Sequence, residues 1–301
     1  MDINVSKISN RSQNPDNSVF EMKGQKGIGC LVEGYNTPKG GNSPESKVTR
    51  ILVESFMKRP AISAEAMKNI FERANSGLMV GQSPQYPSYA SASAVFFLKN
   101  KFVYASAGDN VIFHFVNGKI ADVFCSDPGE EPQYLGVPGY AAPKVSDEVP
   151  FAKGTHTFLL CSRPFADALD EEVLEGSLSA NTHVSEKGKQ TIYDVKCDRW
   201  LRELKDNIPG FNSDANYSAI AFSMPPRKKS KLLLIIIIVA LVLLLGLGFF
   251  FASGAKRRPP QNGPGQGQEE MLGPNGERPP EPPAGAKPGE QPEPPTRPPL
   301  N

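Results

Sequence analysis

From Leu232 to Ala252 the chain reads LLLIIIIVALVLLLGLGFFFA, with no charged residue inside the run. At about 1.5 Å of rise per residue, a helix of this length covers roughly 30 Å, the thickness of a bilayer's hydrocarbon core. A helix satisfies its own backbone hydrogen bonds, so lipid can surround it. The run therefore predicts one membrane-spanning helix and divides the chain into four parts. Residues 1–226 read as a globular domain, 227–231 as a basic juxtamembrane segment, 232–252 as the helix, and 253–301 as a disordered Pro/Gly-rich tail.

The flanks bear on orientation. Arg227, Lys228, Lys229 and Lys231 precede the run, while Lys256, Arg257 and Arg258 follow it. Positive charge collects on the cytoplasmic side, so the excess favours a cytoplasmic N-terminal domain. The opening MDINVSKISNRSQNPDN has no apolar export signal, which agrees. The expected location is the cell membrane, single-pass, with the tail outside the cytoplasm. The tail repeats Pro-Pro pairs and has little to bury, so an extended, solvated conformation is expected. It would act as a spacer or meet a cell-envelope partner.

A formal net charge of +1 gives no bulk field for nucleic acid, and no basic patch is interleaved with aromatics. Nucleic acid is therefore excluded as a partner; the lipid bilayer is the partner expected. Cys30, Cys125, Cys161 and Cys197 form no C-x-x-C pair, and His114, His156 and His183 are far apart in sequence. Neither set has the close ligand spacing that zinc needs.

Within residues 1–226, strands are expected at 17–22 and 28–33 around the turn Gly24-Gln25-Lys26-Gly27. Ser43 and Pro44 mark the start of one helix, whose Val48, Ile51, Leu52 and Phe56 share a face. A second helix is expected from Ser63 to a C-cap at Gly77. Strands follow at 94–98, 101–107, 111–116 and 120–125, with Asn117-Gly118 as a type I′ turn. Further on come a strand at 155–161, helices at 171–178 and 190–206, and a last strand at 217–224. The pattern suggests two sheets covered by helices.

Four segments in order resemble the metal-dependent PPM-type (type 2C) Ser/Thr protein phosphatases, particularly the bacterial ones. RSQNPD stands where that family has R-x-x-N-E-D: Arg11, Asn14 and Asp16 match, and Pro15 replaces the Glu. The resemblance implies that Arg11 grips a phosphate, for which the guanidinium fork is suited, and that Asp16 supports the metals. Glu33-Gly34 stands at the family's metal-bridging Asp-Gly. Gly108-Asp109 matches a Gly-Asp whose carboxylate serves an accessory metal in bacterial members. GTHTFLLCSRPFADAL follows G-D-x-x-L-L-x-S-D-G-x-x-D through Gly154, Leu159, Leu160, Ser162 and Asp167, but Arg163 replaces the metal-binding Asp and Pro164 the Gly. Near the end Asn216 matches, while Ala215 replaces another metal-ligand Asp. The implied fold is α+β, a four-layer α-β-β-α sandwich.

That family's reaction uses two Mg²⁺ or Mn²⁺ ions to activate a bridging water and to neutralise the phosphoryl oxygens. Of the ligand positions Glu33, Arg163 and Ala215, only Glu33 keeps a carboxylate. A unit positive charge about 5 Å from a divalent ion is opposed by roughly 6–7 kcal/mol at an effective dielectric of about 20. The expectation is a pseudophosphatase with no metal cofactor, in which Arg163 stands in for the ions by pairing with Glu33 and Asp109. It would serve as a binding or regulatory module, meeting a phosphoprotein or a component of a Ser/Thr kinase pathway. Two other readings stay open. One is an active Ser/Thr phosphatase using Mg²⁺ or Mn²⁺ at a divergent site of Glu33, Asp16 and Asp109; the other is an envelope protein acting through its tail.

Overall fold

The computed structural model describes residues 3–10, 18–37, 43–80, 82, 87–127, 130–151, 153–187, 190–213, 215–226, 237 and 239–243. The chain forms two compact units, Met1–Lys229 and Ser230–Asn301. In the second unit, Ile237 and residues 239–243 are helical. No helix among the described residues is long and apolar enough to cross a membrane. Most of the helix expected at 232–252, the basic segment 227–231 and the tail 253–301 lie outside the described residues.

The first unit runs β1 (Asn4–Ser9), β2 (Ser18–Lys23), β3 (Lys26–Tyr35), α1 (Pro44–Lys58), α2 (Ala64–Met79), β4 (Tyr89–Leu98), β5 (Lys101–Ala107), β6 (Val111–Val116) and β7 (Lys119–Phe124). It continues with β8 (Lys144–Val145), β9 (Val149–Pro150), β10 (His156–Cys161), α3 (Arg163–Asp167), α4 (Glu171–Ala180), β11 (Thr182–Lys187), β12 (Gln190–Val195), α5 (Cys197–Asn207) and β13 (Ser218–Met224). One sheet has strand order β1-β13-β10-β6-β7. The other has β2-β3-β4-β5-β8, with β9 also on β5, and β11-β12 stands as a separate hairpin.

Alternation along each strand builds the layers, because successive side chains point to opposite faces. Ile28, Cys30 and Val32 of β3 face Leu52, Phe56, Met67 and Phe71 of α1 and α2. Leu31 of the same strand faces Phe158 and Leu160 of β10 and Ile220 and Phe222 of β13, between the sheets. Leu159, Cys161, Ala219 and Ala221 face outward onto Phe165, Leu174, Trp200 and Leu204 of α3, α4 and α5. Three apolar layers between four structural layers are the α-β-β-α sandwich expected. Gly29 belongs to this packing: a Cβ there would meet the Phe222 ring at 2.4 Å.

Local signals mostly act as read. Ser43 accepts from Ser46 N at 3.4 Å, Pro44 opens α1, and Ser63 caps α2 through Ala66 N at 3.2 Å. Asn117 and Gly118 take φ of 52° and 84°, as a type I′ hairpin turn requires. Gly77 does not cap α2, which continues to Met79. A Cβ at Gly77 would meet Ile51 Cδ1 at 2.6 Å, so this glycine lets the two helices approach. The helix expected over 190–206 begins only at Cys197. Residues 190–195 instead form β12, paired with β11 from Thr182↔Val195 to Lys187↔Gln190. β-Branched Thr191, Ile192 and Val195 suit a strand, and the cross-strand partner overrides a helical spacing that Tyr193 met by coincidence. β1 was not anticipated; it is an edge strand on β13 with a half-exposed, weakly apolar pattern.

Candidate functional site

The positions singled out by the phosphatase motifs fall at one end of the two sheets. Cys161, Val111 and Ala219 are register partners at that end. Just beyond them lie Asp109, Arg163 and Ala215. On the other sheet Glu33 pairs with Ser91 and Gly34 with Ala90. Ser91 is the fastening point: its Oγ accepts from Asp109 N at 3.2 Å and Asn110 N at 3.3 Å. Gly108 makes this close approach possible. It has φ of 97°, and a Cβ there would lie 2.4 Å from Ser91 Oγ.

Glu33 is 1% exposed and Asp109 is partly buried. The charge of Glu33 reaches β10: burial first, then Glu33 and Asp167, raises the Cys161 thiol well above its ordinary value. A third carboxylate, not picked out from sequence, belongs to this rim. Glu45, in the first turn of α1 and 1% exposed, lies over Gly34, so that a Cβ on Gly34 would sit 1.9 Å from Glu45 Oε2. Glu45 Oε2 and Asp109 Oδ1 are buried with no hydrogen-bond partner among the described residues. The signal for Glu45 was present, since an acidic residue in a helix's first turn opposes the positive end of the helix dipole. Its proximity to Gly34 was not readable.

Three tyrosines in ring contact, of which Tyr134 hydrogen-bonds Asp109, were also missed. Tyr35 and Tyr89 are register partners on β3 and β4 and stack at 4.7 Å. Tyr134 meets both edge-on, at 6.0 and 5.5 Å, brought in by the bridge between Ala90 and Leu135. Burial and then the charge of Asp109, together with a hydrogen bond to it, push the Tyr134 phenol above its usual range.

The remaining predicted positions do not join this group. Arg163 was expected to pair with Glu33 and Asp109. Its Nε instead donates to Asp167 Oδ1 at 2.8 Å, one turn along α3, with both side chains about half exposed. The i,i+4 partner is nearer along the helix face, and pairing there keeps both charges in water. Ala215 packs against the outer apolar layer of α3–α5, and its carbonyl accepts from Asn10 Nδ2. Between these two, Ser162 ties β10 to β13: its Oγ donates to Asn216 O at 2.8 Å and accepts from Ser218 N at 3.1 Å. Arg11 and Asp16 lie outside the described residues.

The donor set is a poor fit to two divalent ions. Glu33 and Asp109 supply oxygen, but the two other matched positions supply a guanidinium and a methyl group. No group of three or more His, Cys, Asp and Glu among the described residues is arranged to hold a metal.

A second buried polar group lies between the sheets. His114 and His156, distant in sequence, meet because β6 and β10 pair: His114 Nε2 and His156 Nδ1 are 2.9 Å apart, and the rings stack at 5.1 Å. Burial, and secondly His156, lower the His114 pKa to about 3.

Two sheets with helices on both outer faces, and carboxylates gathered at one end of the sheet pair, define the PPM-type Ser/Thr phosphatase fold. Solved structures bear this out. The chain is similar to the Streptococcus agalactiae serine/threonine phosphatase at 13% identity and TM-score 0.54, covering 73% of this chain and 98% of that one. It is similar to the catalytic domain of the serine/threonine phosphatase PstP, solved with two manganese ions, at 14% identity and TM-score 0.56, covering 75% and 99%. The Mycobacterium smegmatis PPM phosphatase MsPP, solved with cacodylate, aligns at 11% identity and TM-score 0.50, covering 74% and 97%. At these identities the likeness is one of fold. No family model and no curated protein matches the sequence.

Proposed function

We propose that the chain is a membrane-anchored PPM-type phosphatase-like protein that has lost two-metal hydrolysis and works as a binding or regulatory module in Ser/Thr phosphorylation signalling. The observation that carries this is the donor set: a guanidinium at 163 and a methyl group at 215, where the family's reaction needs carboxylates. The described residues at 163 and 215 lack the carboxylate donors that would hold the two ions which neutralise phosphoryl oxygens and activate water in that reaction. The uncharged run 232–252 supports anchoring. The partner class, a phosphoprotein or a kinase-pathway component, is drawn from the fold alone.

The test is hydrolysis of p-nitrophenyl phosphate by the full chain in detergent with Mn²⁺. No metal-dependent turnover is expected. Turnover abolished by Glu33→Ala and by Asp109→Ala would overturn the reading. It would favour a divergent active phosphatase, the alternative to which the buried, unpartnered oxygens of Glu45 and Asp109 lend support.

A further inference from the structure

The motif-matched positions Glu33, Asp109, Arg163 and Ala215 lie at one end of the sheets, and β13 ends at the other. β13 starts at Ser218, beside Cys161 and the cleft, and ends at Met224, paired with His156. Seven extended residues at about 3.4 Å each separate the two ends by roughly 20 Å. Met224 leads within a few residues into Arg227, Lys228, Lys229 and Lys231 and then into the apolar run.

The connections at this exit end form one continuous face. Lys99 N donates to Gln25 O at 2.7 Å, joining the β4–β5 and β2–β3 turns. Phe151 N donates to Asn100 O at 2.9 Å, and Asn117 N donates to Thr155 O at 2.9 Å, bringing in the β9–β10 link and the β6–β7 turn. Lys26 Nζ donates to Met57 O, which places the C-terminal end of α1 beside them.

The β11–β12 hairpin, joined to this face where Tyr193 N donates to Thr155 Oγ1, brings Asp194 paired with Lys196, but the face is mostly basic. Its connections carry Lys23, Lys26, Lys58, Arg59, Lys99, Lys101, Lys119 and Lys153, and no Asp or Glu. Glu148 and Glu175, which flank the face, pair with Lys101 and Lys119. Lys23, Lys58, Arg59, Lys99 and Lys153 are exposed. At the end of α1 a recess of about 320 Å³ is lined by Lys58, Arg59 and Arg73 against Glu54. The other end leans the opposite way: Asp109, Asp127, Glu130, Glu131 and Asp167 outnumber Arg163, Lys144 and Lys205. The first unit is therefore electrically polarised along its strands although the net charge of the chain is only +1.

We infer that the exit-end face formed by the 23–26, 58–59, 99–101, 117–119 and 151–155 connections docks on an anionic lipid surface, and that the cleft opens away from the bilayer. The inference rests on the membrane anchoring proposed above. Basic residues next to an anionic leaflet are attracted over about a Debye length, and each adds to the hold. The acidic cleft end is repelled by the same field. A lipid surface is favoured as occupant because β13 ends at this face only a few residues in sequence before the basic segment and the apolar run. The orientation also changes what the cleft can do: it faces soluble partners and not lipid.

The test uses the full chain reconstituted in nanodiscs of neutral phosphatidylcholine or of phosphatidylcholine with phosphatidylserine. Lysines are acetylated under limiting reagent and read by mass spectrometry. In anionic discs Lys23, Lys99 and Lys153 are expected to react at least about threefold more slowly than in neutral discs, while Lys144 and Lys205 at the cleft end are unchanged. The triple variant Lys23→Glu, Lys99→Glu, Lys153→Glu, checked for folding by circular dichroism, is expected to remove the lipid-dependent protection of Lys58. Equal rates in both discs, or protection at Lys144 and Lys205 instead, would overturn the docking face while leaving anchoring intact. Failure of the full chain to stay with either disc would overturn the anchoring reading and this one with it.

Discussion

The space between the sheets and the rim of the cleft are both buried, yet they bury opposite chemistry. Between the sheets, Phe97, Phe102, Phe158 and Phe222 meet ring to ring at 5.2–6.4 Å, and a polar pair, His114 with His156, is hydrogen-bonded, while the buried Tyr104 hydroxyl has no partner among the described residues. At the motif end, Glu33 and Glu45 are buried and Asp109 is partly buried, and Glu45 Oε2 and Asp109 Oδ1 have no partner among the described residues. Burying apolar area stabilises, whereas burying an unpartnered carboxylate oxygen costs free energy. The first region therefore carries stability, and the second is where the fold tolerates strain, as binding sites do.

The largest effect is expected from Phe102→Ala. The ring touches Phe97, Tyr104, His114, Phe151 and Phe158, and its loss leaves a cavity that two stacked sheets cannot collapse to fill. Urea unfolding followed by tryptophan fluorescence is expected to show a loss of about 3–5 kcal/mol. A change under about 1 kcal/mol would mean that stability does not reside between the sheets.

The histidine pair gives the next effect, and it depends on pH. His114 titrates near 3 in the fold and near 6.5 when unfolded. Between those values the unfolded chain binds more protons, so unfolding free energy rises with pH. Its contribution is fully present above about pH 6.5 and is lost as pH falls toward about 3, by a few kcal/mol in all. Urea midpoints from pH 7 to pH 4 should fall steeply in the native chain and less steeply in His114→Phe. Parallel curves would show that the buried imidazole does not set the slope.

Gly34→Ala probes the rim. The new Cβ would overlap the Glu45 carboxylate, and Glu45 N lies 2.9 Å from the same point, so α1 as well as the side chain must yield. A loss of about 1–3 kcal/mol is expected. Gly34→Ala combined with Glu45→Ala should recover part of it, because the side chain causing the closest contact is gone. Simple additivity in this double-mutant cycle would argue against the contact.

Much of the fold was legible because it rests on local rules. The Ser43-Pro44 start, the Asn117-Gly118 turn and the alternation in β3 and β10 each followed from a few adjacent residues. Failures occurred where a partner distant in sequence decides. Residues 190–195 carry both a helical spacing and β-branched side chains, and pairing with β11 selected the strand. Gly77 has the look of a cap, but Ile51 on the neighbouring helix gives it a different task. The motif positions Glu33 and Asp109 could be placed at one end of the sheets from sequence because the motifs are short and ordered along the strands. Glu45 and the three tyrosines could not, since they reach the rim by packing across β3, β4 and the 134–135 bridge. The histidines read as unrelated because nothing in the sequence states that β6 lies beside β10.

Arg163 gives the smallest stability effect and the most direct question about the cleft. Its ion pair with Asp167 is half exposed and spans one helical turn, a geometry worth less than about 0.5 kcal/mol. Arg163→Ala is therefore expected to leave the urea midpoint nearly unchanged, which makes position 163 a clean place to alter charge. Arg163→Asp with Ala215→Asp would add two carboxylates where the family's ligands stand. If the replaced donors limit divalent-ion binding, this full-chain variant should show a Mn²⁺-dependent thermal shift larger than that of the native chain. A variant that folds and still ignores Mn²⁺ would move the cause to the other side of the cleft, where Glu45 occupies the space over Gly34 and Tyr134 holds Asp109.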